Sequence, residues 1–285
     1  MRDAALESVA VGFFDGVHLG HQEILRRAKR AVTFRNHPLT VLAPERAPRL
    51  IMSPEEKVSA IMACGVAEVE IVDFTPEVAA LEPEDFAARH LARGGKPPAV
   101  VCGENWRFGA GGRGDAELLR TLGFDVTVVR YAASGGERVS SSRIRQRLEA
   151  GEIERASAML GRPVVVAGTR FRGKGRGALL GFPTVNLRLG SPPAALLPRG
   201  VYAAKAAGAP AVANYGVAPT MGAAAWDVPV LELHFLGGPP SGLPPDAVRV
   251  ELCHFIRPEM KFSSEDDLRR QIAADVAAAR TAPLR

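Results

Sequence analysis

The sequence predicts two folds in series: a doubly wound α/β domain over residues 1–162, then a small antiparallel β-barrel with a C-terminal helix over residues 163–285. Three observations carry this. In the first part, apolar strand-like runs alternate with helical patterns, which demands crossover connections and a parallel sheet. After Gly161-Arg162-Pro163 the apolar runs become short and are split by glycine and proline, the spacing of a barrel. The 285 residues suffice for about two domains, each burying its own core.

The elements follow in order. Val9 to Phe14 reads as a buried strand and His21 to Arg30 as a helix. Val32 to Phe34, Ala67 to Phe74, Ala99 to Cys102 and Val126 to Val129 read as further strands. Between them, Ser53-Pro54-Glu55-Glu56 sets a capping serine, a proline at the first helical position and a reaching glutamate ahead of Lys57 to Cys64. Helical patterning resumes from Ser142 to Leu160, broken by Gly151. Val164 to Ala167, Val201 to Lys205, Val230 to Phe235 and Val248 to Phe255 are the barrel strands. Ser264 and Asp267 form a capping box for a final helix with Leu268, Ile272 and Val276 on one face. One corner is odd: the helix ending near Arg30 meets the next strand with no Gly, Asn or Pro between them, where about two to six connecting residues are usual. Either the corner is unusually tight or a segment found in relatives is missing.

Composition narrows the function. Hydrophobic content of 47% with 24% charged excludes wholesale disorder. No run approaches the roughly 18 apolar residues of a membrane span, and Met1-Arg2-Asp3-Ala4 lacks the layout of a signal peptide. The three scattered cysteines argue against a disulfide framework or zinc knuckle, so a reducing, cytoplasmic setting is expected. The net charge of +5 favours an anionic partner. Aromatic residues at 6% and the lack of long basic runs weigh against nucleic acid and toward small phosphates.

Gly12-Phe13-Phe14-Asp15-Gly16-Val17-His18-Leu19-Gly20-His21 is the sharpest feature. It follows a strand and opens a helix, at the carboxyl edge of a parallel sheet where ligands bind and free N–H groups attract phosphate. His18 and His21 share one helical face and can donate to the same phosphate oxygens, while Gly20 leaves room for a base or phosphate. A lone histidine pair would be read as a surface feature; this ten-residue context reverses that. Ser140-Ser141-Ser142 at a helix start, followed by Arg143 and Arg145, offers hydroxyls, N–H groups and guanidinium forks to phosphate. In the second part, Gly173 to Gly177 and Gly181-Phe182-Pro183-Thr184-Val185-Asn186 permit close approach of backbone N–H groups to phosphate, without the ending of a Walker A loop. Val230 to Phe235 places Glu232 and His234 on the face opposite Leu231 and Leu233.

The Gly12–His21 segment resembles the His-x-Gly-His signature of nucleotidyltransferases. Together with Thr33-Phe34-Arg35-Asn36-His37-Pro38, Gly103-Glu104-Asn105-Trp106-Arg107-Phe108-Gly109 and Val139-Ser140-Ser141-Ser142-Arg143-Ile144-Arg145, it resembles the bacterial bifunctional riboflavin kinase/FAD synthetases over about residues 8 to 280. Gly181-Phe182-Pro183-Thr184-Val185-Asn186 is close to the Pro-Thr-Ala-Asn signature of riboflavin kinases, and Asn214 to Thr220 and Arg257-Pro258-Glu259 fit the same barrel. The resemblance implies a Rossmann-like FMN adenylyltransferase domain over 1–162 and a riboflavin kinase barrel over 163–285. It implies that His18 and His21 stabilise the α-phosphate, that Gly12, Phe14, Asp15 and Gly20 line the nucleotide site, and that Ser141, Ser142 and Arg145 hold the triphosphate tail. Asn105 would contact nucleotide or flavin. In the barrel, Gly175, Gly181, Thr184 and Asn186 would hold ATP, with Thr184 and Asn186 at Mg²⁺, and Glu232 would take the riboflavin 5′-hydroxyl proton.

The expected activity is phosphorylation of riboflavin to FMN, then adenylylation of FMN to FAD with release of pyrophosphate. The partners are small molecules (riboflavin, FMN and ATP), with no nucleic acid and no membrane. Departures from the family pattern are Phe13 for Asn, Asn36 for Pro, Ser142 for Thr, Val185 for Ala, Ala178 for a frequent Arg, and a shorter stretch between His21 and Thr33. Two rivals are an adenylyltransferase whose barrel only binds flavin, which intact Thr184, Asn186 and Glu232 oppose, and a nucleic-acid binder, which the composition opposes.

Overall fold

The computed structural model describes residues 8–173, 175–190, 192–218 and 228–283. The chain forms two compact units that divide between Ser141 and Ser142.

In the first unit five parallel strands form one sheet: β1 (Ser8–Val11), β2 (Arg30–Phe34), β3 (Glu68–Val72), β4 (Ala99–Gly103) and β5 (Asp125–Val129), in the order β3-β2-β1-β4-β5. Its three central strands, β1, β2 and β4, are buried on both faces, as their apolar runs require. Val9, Val11, Val32, Phe34, Val100 and Cys102 point into one core, and Ala10, Ala31 and Val101 into the other. Because β1 pairs with β2 on one side and with β4 on the other, the strand order reverses beside the carboxyl end of β1. A two-stranded hairpin, β6 (Ala133–Ser134) with β7 (Glu137–Arg138), follows β5.

Two expectations change here. Phe13 and Phe14 leave the strand, since Phe14 has φ 54° and cannot continue the pleat. The first helix is Leu19–Leu25, and Arg30 belongs to β2. The odd corner is a tight one: Arg27 N–H donates to Ile24, Ala28 N–H to Leu25, and Lys29 N–H to the Ser8 carbonyl. Those bonds stop the helix without a glycine. The helix Pro54–Met62 carries the full capping box, Ser53 Oγ accepting from Glu56 N–H and Glu56 from Ser53 N–H.

In the second unit the helices Ser141–Glu149 and Ile153–Leu160 precede the barrel, whereas the sequence places the domain boundary at Arg162-Pro163. Gly161, left-handed at φ 70°, ends the second of them. Six strands close the barrel in the order β10-β11-β12-β9-β8-β13: β8 (Val164–Phe171), β9 (Val185–Leu189), β10 (Gly200–Ala206), β11 (Ala209–Ala218), β12 (Val228–Phe235) and β13 (Ala247–Pro258). Strands β9 and β11 go beyond the sequence reading. Lys174 and Pro219-Thr220 of the quoted motifs lie outside the described residues.

The C-terminal helix Glu265–Thr281 starts at Ser264, whose hydroxyl accepts from Asp267 N–H. The Asp267 carboxylate accepts from the Ser263 and Ser264 hydroxyls, in place of the backbone bond of a complete capping box. Val276 and Ala279 pack against Val201, Ala203 and Val212. Asp275 fastens the helix, accepting from Arg257 Nε at 2.8 Å and Nη2 at 2.7 Å, with side-chain exposures of only 4% for Asp275 and 16% for Arg257. Removing one partner strands a buried charge. Asp275→Ala should therefore cost about 3–5 kcal/mol in urea unfolding, and the pair Arg257→Met with Asp275→Leu should recover most of the loss.

Candidate functional site

The first candidate site lies where the strand order reverses. After β1 the chain turns through Phe14 at φ 54°, Gly16 at φ 80° and Val17 at φ 38° before the helix Leu19–Leu25 begins. Gly12 donates its N–H to the Val32 carbonyl, and a side chain there would strike the Phe14 ring at 2.9 Å. Phe14 is buried and meets the His21 ring edge-on at 5.3 Å. Asp15 is also buried; its carboxylate accepts from Ile51 N–H at 3.0 Å and its carbonyl accepts from the Ser141 hydroxyl at 2.9 Å. The sequence motif and the first serine of the later helix thus meet in one place.

His18 caps the helix, its Nδ1 accepting from His21 N–H at 3.3 Å. A ring nitrogen that accepts there keeps its lone pair, so the neutral ring carries its proton on Nε2 and donates from that side. The two imidazoles stack at 3.5 Å with an interplanar angle of 17°. A methyl on Gly20 would touch the His18 ring at 3.3 Å and the Ala132 side chain at 3.7 Å, so the glycine keeps this edge open. Ser142 and Arg145 continue the Ser141–Glu149 helix in the second unit.

Beside this turn runs an apolar cleft of about 190 Å³, walled by Phe34, Phe74, Phe86, Trp106 and Phe108 and edged by Leu42 and Arg107. Trp106 and Phe108 stack at 4.6 Å, and the Phe108–Gly114 bridge closes the loop that carries them. Asn105 is exposed in the turn after β4, adjacent to the cleft residues rather than among them. The sequence reading singled out Gly103–Gly109 and, in Thr33–Pro38, Phe34, but not Phe74 or Phe86, which come from the end of β3 and from a helix far apart in the chain.

Lys57 was also missed. It is 2% exposed, donates to the Phe34 carbonyl at 2.5 Å and lies 4.0 Å from the Phe13 ring centre. Its signal was present: Lys57 and Ile61 lie on the same face of a well-capped helix, and both are buried.

The second candidate site lies on the outer face of the barrel. Asn186 on β9 pairs with Glu232 on β12, and Glu232 pairs with Asn214 on β11, so three polar side chains form one cross-strand row. Leu231 and Leu233 point inward, as the alternation predicts. Glu232 keeps contact with solvent, but the protein around it removes enough water to raise its pKa. His234 Nδ1 bonds the Pro183 carbonyl at 3.0 Å and its ring meets Phe182 edge-on, which ties the Pro183-Thr184 segment to β12. The glycine-rich segment folds against the same residues: a methyl on Gly173 would meet the Asn186 amide at 2.5 Å. Gly175 and Gly181 take φ 72° and 89° at either end of the short helix Arg176–Leu179. The arrangement sets Asn186 beside Glu232, with Thr184 two residues before Asn186 and close to Gly177.

A comparison with family models matches residues 2–143 to FAD synthetase and residues 160–282 to riboflavin kinase. A bifunctional riboflavin kinase/FMN adenylyltransferase from Escherichia coli K12 is 33% identical over 95% of this chain and 91% of its own length. The Bacillus subtilis protein of the same description is 30% identical over 96% of this chain and 91% of its own. A solved Streptococcus pneumoniae structure, described as a macrolide-efflux protein, superimposes with TM-score 0.83 at 28% identity, covering 98% of this chain and 96% of that one.

At Gly177 the hairpin leaves no space, since an added methyl would lie 2.5 Å from the Phe182 carbonyl oxygen and 3.2 Å from the Thr184 side chain. Gly177→Ala should cost about 1–3 kcal/mol in urea unfolding and shift the Thr184 amide resonance; an unmoved resonance would show that Thr184 does not rest on this contact.

Proposed function

The chain belongs to the bifunctional riboflavin kinase/FMN adenylyltransferase family, and from that premise we propose how its residues divide two reactions. The barrel transfers the γ-phosphoryl group of ATP to riboflavin, giving FMN. The α/β unit then joins FMN to the adenylyl group of a second ATP, giving FAD and pyrophosphate. What supports the division is that FAD synthetase matches residues 2–143 and riboflavin kinase residues 160–282, the first with a histidine turn beside an apolar cleft and the second with a carboxylate in a polar row on its barrel.

In the kinase reaction Glu232 accepts the proton of the riboflavin 5′-hydroxyl as that oxygen attacks the γ-phosphorus. Its raised pKa makes it a stronger base than an ordinary surface carboxylate. Thr184 and Asn186 supply neutral oxygens, hard donors that suit Mg²⁺ held jointly with ATP phosphates and water. When bound there, Mg²⁺ offsets negative charge on the phosphates. The glycines at 173, 175, 177 and 181 let the backbone approach the triphosphate closely; Lys174 and the Arg176 side chain lie outside the described residues.

In the adenylyltransferase reaction an FMN phosphate oxygen attacks the α-phosphorus and the bond to pyrophosphate breaks. No proton need be removed from the nucleophile, because the FMN phosphate is already ionised. His18 and His21 donate to the charge that builds on the α-phosphate, with His18 held by its cap bond so that Nε2 is the donor. Gly12, Phe14, Asp15 and Gly20 shape the turn around the nucleotide, and Ser141, bonded to the Asp15 carbonyl, stands where the leaving pyrophosphate departs. The isoalloxazine ring occupies the cleft of Phe34, Phe74, Phe86, Trp106 and Phe108, with Asn105 at its edge.

Incubation with riboflavin, ATP and Mg²⁺, followed by chromatography, should yield both FMN and FAD, and a chelator should stop both. His21→Ala should lower FAD formation by about 10²-fold or more and leave FMN formation intact. Glu232→Gln should lower FMN formation from riboflavin to a similar degree and leave FAD formation from supplied FMN and ATP intact. Loss of both reactions in either folded variant would overturn the division.

FMN formation should also fall on acidification as Glu232 takes up a proton, at a pH above the ordinary carboxylate value. Because the folded pKa is raised, the ionised form weighs against the folded state as pH rises through that window. Glu232→Gln should therefore lose activity without losing thermal stability; a parallel loss of both would assign Glu232 a structural role.

A further inference from the structure

Three ties join the end of β1 to the end of β2. Gly12 N–H donates to the Val32 carbonyl at 3.1 Å, and Thr33 Oγ1 donates to the Phe13 carbonyl at 2.9 Å. The third tie is a buried charge: Lys57 bonds the Phe34 carbonyl and sits over the Phe13 ring. Phe13 belongs to the turn that carries the histidines, whereas Phe34 is a wall of the apolar cleft.

An apolar residue would fill this place at less cost, because a buried ammonium loses its hydration and gains little unless it is well paired. Lys57 has one carbonyl, one aromatic face and the field of the Asp15 carboxylate. All three belong to the turn or the cleft. At 2% exposure it does not reach a substrate itself.

We propose that Lys57 is a positioning residue for adenylyl transfer, its ammonium fixing the histidine turn against the flavin cleft so that the FMN phosphate meets the α-phosphorus in line. The proposal rests on reading the first unit as the adenylyltransferase. If Lys57 sets the relation of two bound substrates rather than the binding of either, its loss acts on kcat and leaves each KM nearly unchanged.

The charge supplies a second readout. Burial lowers the Lys57 pKa to about 8, against the opposing pull of Asp15. Other titratable or charged groups on the elements around it are His18 and His21 in the turn, Arg35 and His37 after β2, and Glu55 and Glu56 on its own helix; Asp15 is the one among the described residues with a resolved effect on Lys57. The ammonium exists below that pH and is lost above it, so kcat for FAD formation should fall as pH rises through about 8.

The test measures FAD formation from FMN and ATP in the full chain, with FMN formation from riboflavin as the internal control. Lys57→Met should lower kcat about tenfold or more at pH 7, change each KM less than about threefold, spare FMN formation and abolish the alkaline limb. Lys57→Arg, which keeps its charge, should recover part of kcat and lack a limb near pH 8. Unchanged kcat in Lys57→Met, a change confined to KM, or a wild-type profile flat through pH 8 would overturn the proposal; the last holds even if Lys57→Met does not fold. A wild-type chain that makes no FAD from supplied FMN would instead overturn the adenylyltransferase reading.

Discussion

The first unit depends on one steric constraint: the chain must leave a strand buried on both faces and enter a helix within the space of Gly12 to His18. Two side-chain-bearing residues, Phe14 and the β-branched Val17, hold positive φ to do so. Such positions cost about 1–3 kcal/mol each and persist only where surroundings over-determine them. Here those surroundings can be named. The Phe14 side chain is buried against the first helix, Ile51 holds the Asp15 carboxylate, Ser141 holds its carbonyl, and Thr33 holds the carbonyl of Phe13. The strain is thus distributed over β2, the segment before Ser53 and the start of a helix more than a hundred residues away. What it secures is the helix entry at His18, where a ring nitrogen replaces the usual serine or aspartate cap and the second histidine stacks on the first.

The barrel solves a different problem. Its interior is filled by Tyr202, Leu187, Leu231 and Leu233, with alanines on β10 and β11 allowing a small closed barrel to pack. Polar chemistry is therefore confined to the outer face, and the row Asn214, Glu232, Asn186 lies there because register and alternation leave those residues no inward position. The glycine-rich segment is drawn onto that row, with Gly173 against Asn186 and Gly177 against Thr184. The Arg257–Asp275 pair works at another edge, fixing the last helix on strands that would otherwise expose Val201 and Val212.

How much of this was legible depends on whether a feature is written in consecutive residues. The central parallel strands were, since each is a short apolar run; the polar row was half so, because alternation orients Glu232 but only pairing places Asn186 and Asn214 beside it. Strand β11 was not, since Pro210, Asn214 and Gly216 break the apolar alternation of Ala209 to Ala218. The tight corner at Arg26 to Lys29 was visible as an anomaly, but its closure by the Ser8 carbonyl is a long-range bond. The cleft was least legible of all: Phe34, Phe74, Phe86, Trp106 and Phe108 converge only once the sheet is built. Lys57 shows the limit of charge patterning, for a lysine on a helix is ordinarily solvated and only its register with Ile61 marks it as buried.

The two sites also differ in the titratable groups they hold, and the proposed chemistry explains why. A hydroxyl nucleophile must lose a proton as it attacks, so the kinase site needs a carboxylate whose affinity for that proton is raised, and Glu232 has that character. A phosphate nucleophile brings its own negative charge and has no proton to lose. A carboxylate aimed at it would repel it, and the carboxylate nearest the histidine turn, Asp15, is turned away and bound to Ile51 N–H. What such a site requires is fixed positive or donating groups and a rigid relation between two bound molecules. Imidazoles held by a cap bond and a buried ammonium supply those without a base, while the carboxylate that a hydroxyl nucleophile needs stands on the barrel.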